Sequence, residues 1–340
     1  MKIGIIGCGH IADGHATVYK YTKDAKVVAV SDISSQKAKI FADKHGIGKV
    51  FADHLSLLEI KDLDFVDICT PTSTHAHMAC DAAEFGHNIL LEKPMALSTD
   101  ECDNIIHKVE KNGVSLCVCH NQIFFPSIRR AKSMVNLGRY DLVSFRTCVK
   151  QSPQMFSYPA WNMTPEEKGI LWEAGCHLAY LQLHFLKNVT EVYAVGSKVK
   201  YPVYDNFSVI LRTSGRSYGI IEVSWVTNGS EKTYEIDRAD GKRILPMVDG
   251  DHHLVIEKPE AGGAIHSEIR RASRYFLRSR QAGHSQLGYF IGHFFLINEY
   301  IRSLKDGSPP PVQAGDGKRT IRLLECMEES LDNHKIVSVE

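Results

Sequence analysis

The chain carries no net charge: across 340 residues, 40 Lys and Arg stand against 40 Asp and Glu. That removes the long-range field on which a general nucleic-acid or anionic-membrane binder depends, so a small or locally recognised partner is expected instead. No apolar run approaches the roughly 20 residues of a membrane-spanning helix. The apolar run over 3–6 stops at Gly7, too short for the apolar region of a signal peptide. Nine cysteines, at 8, 69, 80, 102, 117, 119, 148, 176 and 326, are odd in number and lack the spacing of a disulfide framework. A reducing, cytoplasmic location is the expectation. Internal repeats, low-complexity tracts and flexible linkers are also missing.

What is present describes an ordinary globular chain, 44% hydrophobic and 24% charged. Its length exceeds the roughly 250–300 residues at which one core stops growing, so two domains are expected. The 17 histidines are the one compositional surplus. They call for sorting by position.

Up to about residue 120, short β-branched runs alternate with amphipathic stretches, the pattern of a parallel sheet with crossover helices. Strands are expected over 2–6, 26–31, 65–69, 88–91 and 115–119, with helices over 11–21, 35–45, 74–85 and 99–111. Beyond about 122 the rhythm changes. Helical stretches over 126–138 and 170–186 flank a strand over 142–149, and strands over 191–199, 207–213, 217–226, 232–237 and 252–257 then follow with no helices between them. Short turns such as 214–216 favour antiparallel pairing. The fold class read from this is α/β: an N-terminal Rossmann domain, 1–122, and a C-terminal α+β domain, 123–340, with a mainly antiparallel open sheet. Helices over 286–304 and about 318–331 close the chain.

Gly7-Cys8-Gly9-His10-Ile11-Ala12 follows the first strand and opens the first helix, fitting G-x-G-x-x-A in the context that gives the motif meaning. Gly7 permits the tight turn, Gly9 lets the backbone approach a pyrophosphate, and Ala12 allows helix and strand to pack closely. The helix N-terminus adds unpaired N–H groups and the positive end of its dipole. Asp32 stands 20 residues beyond Ala12, at the end of the second strand, where an acid accepts hydrogen bonds from a ribose. Ile33, Ser34 and Ser35 follow, with no arginine for a 2′-phosphate. NAD is therefore favoured over NADP.

Glu92-Lys93-Pro94 follows the strand over 88–91, at the sheet edge where ligands bind in open α/β folds. A lysine there can stabilise the alkoxide that builds up as hydride leaves an alcohol carbon, and Pro94 would fix the turn that aims it. On the expected helix over 170–186, Glu173, His177, Tyr180 and His184 fall at i, i+4, i+7 and i+11 and share one face. His177 is a candidate general base, with Glu173 orienting or charging it. The same face would also serve as a polar helix surface. Zinc ligation by Glu173, His177 and His184 is disfavoured by the seven-residue gap between the imidazoles, so no metal is assigned.

These residues together resemble the Gfo/Idh/MocA family, the glucose–fructose oxidoreductase and inositol dehydrogenase group, along nearly the whole chain. The features that carry the resemblance are the glycine turn, Asp32, Thr70-Pro71-Thr72-Ser73-Thr74-His75, Glu92-Lys93-Pro94, Asn121 with Phe125-Pro126, Gly175 with His177, and a closing stretch from Asp306-Gly307 to Ser330. The resemblance implies an NAD(P)-dependent oxidoreductase acting on CH–OH groups of a sugar or polyol, with Lys93 and His177 flanking the reacting hydroxyl. It also implies a homodimer or homotetramer formed through the second domain's sheet. Some relatives use tightly held NAD transiently, for elimination or hydrolysis without net redox change, and a non-catalytic NAD- or sugar-sensing protein is the other alternative, against which the presence of both Lys93 and His177 argues. The chain departs from the common pattern at Glu173, where an aspartate is usual, at Tyr180, where an acid is frequent, and at Asn162, where an arginine often follows the tryptophan. These departures put the usual inositol and monosaccharide substrates in question.

Further candidates are Thr70, Pro71, Thr72 and His75 beside the cofactor, Asn121 at nicotinamide or substrate, and Tyr158, Trp161 and Asn162 along a sugar. Cys117 and Cys119, alternating on one strand, read as buried thiols. Arg270, Arg271, Arg274, Arg278 and Arg280 read as a phosphate site, an exposed helix face or a subunit contact.

Overall fold

The computed structural model describes residues 1–137, 141–153, 160–246, 255–258 and 290–339. Tyr158, His252, His253 and the arginines between 270 and 280 lie outside them. The chain divides into two compact units, Met1–Asn121 with His293–Ile321, and Gln122–Gly292 with Arg322–Glu340.

In the first unit β1 (Lys2–Ile6), β2 (Lys26–Ser31), β3 (Lys49–Phe51), β4 (Phe65–Ile68), β5 (Asn88–Leu91) and β6 (Leu116–Val118) form one sheet in the order β3-β2-β1-β4-β5-β6. Every pairing is parallel. The sequence explains why: β4 is buried at every position and β1 and β5 at all but the first, as strands covered by helices on both faces must be. The covering helices are α1 (His10–Tyr21), α2 (Ser35–His45), α3 (His54–Leu58), α4 (His75–Glu84) and α5 (Thr99–Asn112). Strand order reverses between β1 and β4, so their carboxyl ends open the crevice in which this fold binds ligands. β3 and α3, of three and five residues, are too short to set up a readable period and were not expected.

The segment 293–321 returns to this first unit. It contributes most of α8 (Ile291–Asp306) and the start of α9 (Ala314–Asn333). Tyr300, fully buried, donates its hydroxyl to Ser115 O at 3.1 Å and meets Phe65 edge-on, and Val118 N–H donates to Val312 O. A single boundary near 122 has no place for this return, because the contacts that bring it back are separated by some 200 residues of sequence. Hydrophobic periodicity identifies a helix but not the surface it covers.

The second unit holds α6 (Pro126–Leu137), β7 (Leu142–Gln151), α7 (Gly169–Phe185), β8 (Val189–Ser197), β9 (Asn206–Thr213), β10 (Tyr218–Ser224), β11 (Ser230–Arg238), β12 (Arg243–Pro246), β13 (Val255–Lys258) and β14 (Val337–Ser338). Its eight-stranded sheet runs β13-β12-β11-β7-β10-β9-β8-β14. All pairings are antiparallel except β7 with β10. Gln182 of α7, with no exposed surface, secures that parallel pair: its Nε2 lies 3.0–3.2 Å from Phe145 O and Thr147 Oγ1 on β7 and Ile220 O on β10. β9 alternates buried and exposed along its length, the mark of a sheet covered on one face. β12 and β14, four and two residues long, were not expected either.

Two left-handed residues launch α7. Lys168 has φ +57° and Gly169 φ +62°, and a Cβ on Gly169 would lie 2.4 Å from Val203 Cγ2. Lys168 Nζ is anchored by Glu328 at 2.8 Å and stands 4.1 Å over the Trp172 ring. Among the described residues no helix is long and apolar enough to cross a membrane.

Candidate active site

The glycine turn is built for an anionic ligand. Gly7 has φ +91°, and a Cβ there would lie 2.7 Å from Cys69 O, so the turn between β1 and α1 excludes any side chain. Gly9 differs: its backbone is ordinary extended, and a Cβ would meet nothing within 4 Å. The protein itself does not require glycine at 9. The space beside it is open to a ligand. Gly9 is also the N-cap of α1 and offers no side-chain cap, leaving that helix end for a ligand's phosphates. His10 is exposed, Ile11 half-buried and Ala12 fully buried against the sheet.

Asp32 directly follows β2, with its carboxylate aimed back across the turn. Its Oδ2 accepts from Cys8 N–H at 2.9 Å and its Oδ1 from Ser34 N–H at 2.8 Å. Each oxygen keeps a lone pair for a ribose hydroxyl, and the fixed negative charge opposes a 2′-phosphate. Ile33 beside it is 94% exposed, an apolar surface of the kind an adenine ring covers. The donor set therefore fits NAD. Burial, and then the charge of Asp32, push the Cys8 thiol up to about 12, so this cysteine is no nucleophile.

Thr70, Pro71 and Thr72 are half-buried beyond β4. His75 is buried and bridges two turns, with Nδ1 2.7 Å from Pro94 O and Nε2 2.9 Å from Thr70 O. It ties the loop after β4 to the cis Lys93–Pro94 turn after β5, as a positioning residue.

Beneath Lys93 lies a buried polar cluster. Glu92 Oε2 accepts the Lys93 N–H at 3.0 Å, while Oε1 faces His15 Nε2 at 3.1 Å and His293 Nε2 at 3.8 Å. His15, with no exposed surface, puts Nδ1 2.9 Å from Asp67 Oδ2, which also takes the Tyr19 hydroxyl at 2.7 Å. Burial alone would raise the Glu92 pKa, but the interactions with His15 outweigh it and hold the carboxyl well below its usual range. Burial would likewise favour a neutral His15, and Asp67 overrides it, keeping that ring charged. His120 and His293 are pushed down to about 3, chiefly by burial, and are neutral. Asn121 belongs to the same cluster, its Nδ2 3.1 Å from His293 Nδ1.

Sequence reasoning missed His15, Asp67 and His293. Asp67 had a signal, being the one charge inside the apolar strand Phe65–Ile68, and His15 falls three residues after Ala12 on the buried face of α1. His293 had none.

In the second unit, α7 is buried nearly all round. Its partly exposed positions are Glu173, His177, Leu183 and His184, so 173, 177 and 184 do share one accessible stripe, with Tyr180 only 9% exposed beside it. His184 is held near 4 by burial and by Lys132 and Arg129, making it a neutral ring in a basic setting. Gly175 faces ordinary contacts, with Ile170 O 3.5 Å from a would-be Cβ. Trp161 is 43% exposed, and Asn162 is buried.

Comparison with known proteins agrees with the geometry. Residues 1–120 match the model described as an oxidoreductase family with an NAD-binding Rossmann fold, GFO_IDH_MocA, and residues 128–242 match the GFO/IDH/MocA C-terminal domain. A myo-inositol 2-dehydrogenase of Thermotoga maritima is 25% identical over 100% of this chain and 99% of its own. A 2,7-anhydro-N-acetylneuraminate hydratase of Mediterraneibacter gnavus is 31% identical over 75% of this chain and 72% of its own. Among solved structures, the WlbA dehydrogenase of Bordetella pertussis, in complex with NADH and UDP-GlcNAcA, superposes with a TM-score of 0.85 at 19% identity, over 99% of this chain and 97% of that one.

The two glycines separate fold from ligand. Gly9→Ala is expected to cost no more than about 1 kcal/mol of stability yet to weaken NADH binding about tenfold or more. Gly7→Ala is expected to destabilise the fold itself by at least ~2 kcal/mol. Urea unfolding and NADH fluorescence titration of both variants check this, and equal stability losses would contradict it.

Proposed function

The chain belongs to the Gfo/Idh/MocA oxidoreductase family, and on that premise we propose that it is an NAD-dependent dehydrogenase of a secondary hydroxyl on a sugar, polyol or sugar derivative. The observation that carries this reading is Lys93 at the carboxyl edge of the NAD-binding sheet, its backbone fixed by the buried, ionised Glu92.

Bound NAD would supply the hydride acceptor. Lys93 binds the substrate oxygen and stabilises the negative charge that grows on it as the carbinol C–H bond breaks with its electron pair. His177 takes the hydroxyl proton, and Glu173 on the preceding turn of α7 favours the resulting imidazolium. Trp161, exposed and aromatic, offers a face to sugar C–H groups, and Tyr180 a hydroxyl. The hydratase among the relatives supports a second reading, in which hydride is returned and no NADH accumulates.

A panel of inositols, monosaccharides, acidic sugars and nucleotide sugars, followed at the NADH absorbance band, tests the assignment. Lys93→Met is expected to lower kcat/KM by about 10²–10³-fold with NADH affinity nearly unchanged. Undiminished turnover in that variant would remove Lys93 from the chemistry. Product formation without NADH would select the hydratase-like reading.

We also infer a homodimer or homotetramer in the cytoplasm. Tyr193 and Val195 on β8, Ile210 on β9 and Tyr218 on β10 stand 39–53% exposed on the uncovered face of the second unit's sheet, an apolar patch suited to a second copy. All nine cysteines are free thiols, in keeping with a reducing compartment. Sedimentation should give a multiple of 38.1 kDa for the native chain and a smaller mass for Ile210→Asp. A monomeric native chain would contradict this.

A further inference from the structure

The buried cluster under Lys93 contains more than a proton network needs. Four side chains of metal-binding type converge there from four separate elements: His15 from α1, Glu92 after β5, Cys119 after β6 and His293 from α8. All are buried, and their donor atoms lie within 4.8 Å of one another. His15 Nε2 is 3.1 Å from Glu92 Oε1 and 3.9 Å from Cys119 Sγ, and His293 Nε2 is 3.8 Å from Glu92 Oε1. Zinc bonds of about 2.0–2.3 Å in a tetrahedron put neighbouring donors roughly 3.3–3.8 Å apart. Three of the six separations, at 3.1, 3.8 and 3.9 Å, lie near that edge.

Three further observations point to a ligand. Glu92 Oε1, at the centre of the group, is buried and accepts no hydrogen bond of good geometry although His15 Nε2 is close. The far nitrogen of each imidazole is already engaged, His15 Nδ1 by Asp67 Oδ2 at 2.9 Å and His293 Nδ1 by the Asn121 amide at 3.1 Å, which is how metal-bound histidines are oriented. Asn121 Oδ1 is buried with no partner, and turning the amide over would present it to an Nδ1–H, leaving Nε2 its lone pair. Over the four ligands alone, Zn²⁺ with one thiolate, one carboxylate and two neutral imidazoles sums to zero, and the Asp67 carboxylate stays hydrogen-bonded to His15 Nδ1–H at 2.9 Å.

We propose that His15, Glu92, Cys119 and His293 bind one tetrahedral zinc ion inside the first unit, as a structural site. With four protein ligands it keeps no open position, so it takes no substrate. On binding, the metal displaces the proton of the Cys119 thiol and that of His15 Nε2, and both leave to solvent. Its effect on the reaction is indirect: it fixes the carboxylate whose other oxygen holds the Lys93 N–H. The proposal stands independently of which hydroxyl, if any, the protein oxidises.

The test uses the full chain, stripped with a chelator under reducing, anaerobic conditions and titrated first with Co²⁺ and then with Zn²⁺. About one equivalent of Co²⁺ per chain should give the intense visible bands of tetrahedral cobalt and a thiolate charge-transfer band in the near ultraviolet, both erased by Zn²⁺. Cys119→Ser should lose the charge-transfer band. Zn²⁺ should raise the unfolding temperature of the native chain but not that of His293→Ala. The charge-transfer band also separates this site from the partly exposed group His54, His77 and Asp81, which has no sulfur. A folded, stripped native chain showing neither the cobalt spectrum nor a Zn²⁺-dependent shift would overturn the proposal, whether or not the variants fold. So would a charge-transfer band that survives Cys119→Ser.

Discussion

A carboxylate buried at the carboxyl edge of the first sheet needs a partner, and Glu92 sets the terms for what surrounds it. Left uncompensated, its charge would cost several kcal/mol. His15 and its Asp67 support supply the compensation from α1 and β4, and His293 is brought in from α8. What Glu92 returns is orientation: one oxygen faces the buried cluster and the other holds the backbone N–H of Lys93. His75 fixes the next residue by gripping Pro94 O together with Thr70 O. The lysine's backbone is thus held from both sides, which suits the alkoxide-stabilising role proposed for it.

The same economy governs the second unit. α7 is almost wholly interior, pinned to β7 and β10 through Gln182 and launched by the strained pair Lys168-Gly169. A helix so enclosed has few positions for function, and the accessible ones are largely the polar stripe of Glu173, His177 and His184. His184 is a neutral ring in a basic setting, held so by burial and by Lys132 and Arg129. The opposite face of the sheet exposes Tyr193, Val195, Ile210 and Tyr218 beside ion pairs such as Arg212–Glu191.

Much of this was legible along the chain, for identifiable reasons. The strand-turn-helix with its glycines, Asp32 and the Glu-Lys-Pro turn are local: their chemistry depends on neighbours within a few residues, and the structure finds them on the elements expected. The shared face of 173, 177 and 184 follows from helical period alone. What escaped was tertiary. His15, Glu92 and Cys119 meet where α1 packs on the sheet, His293 joins them because α8 returns to it, and no spacing in the sequence encodes that meeting. The histidine surplus illustrates the cost: His15, His75, His87, His120 and His293 are buried, several in hydrogen-bonded roles that a reading of exposed helix faces passes over. Gly9 is the converse case. Its role was assigned from the motif, and only the open space around its missing Cβ shows that the protein's own packing does not demand it.

The central claim is direct hydride transfer from a substrate carbinol carbon to NAD, organised by Lys93. A substrate from the responding class, deuterated at the oxidised carbon, tests it most directly when the released NADH is analysed by mass spectrometry. The account predicts one deuterium in the reduced cofactor for each substrate oxidised. Turnover that releases the label to solvent and leaves the NADH unlabelled would contradict it.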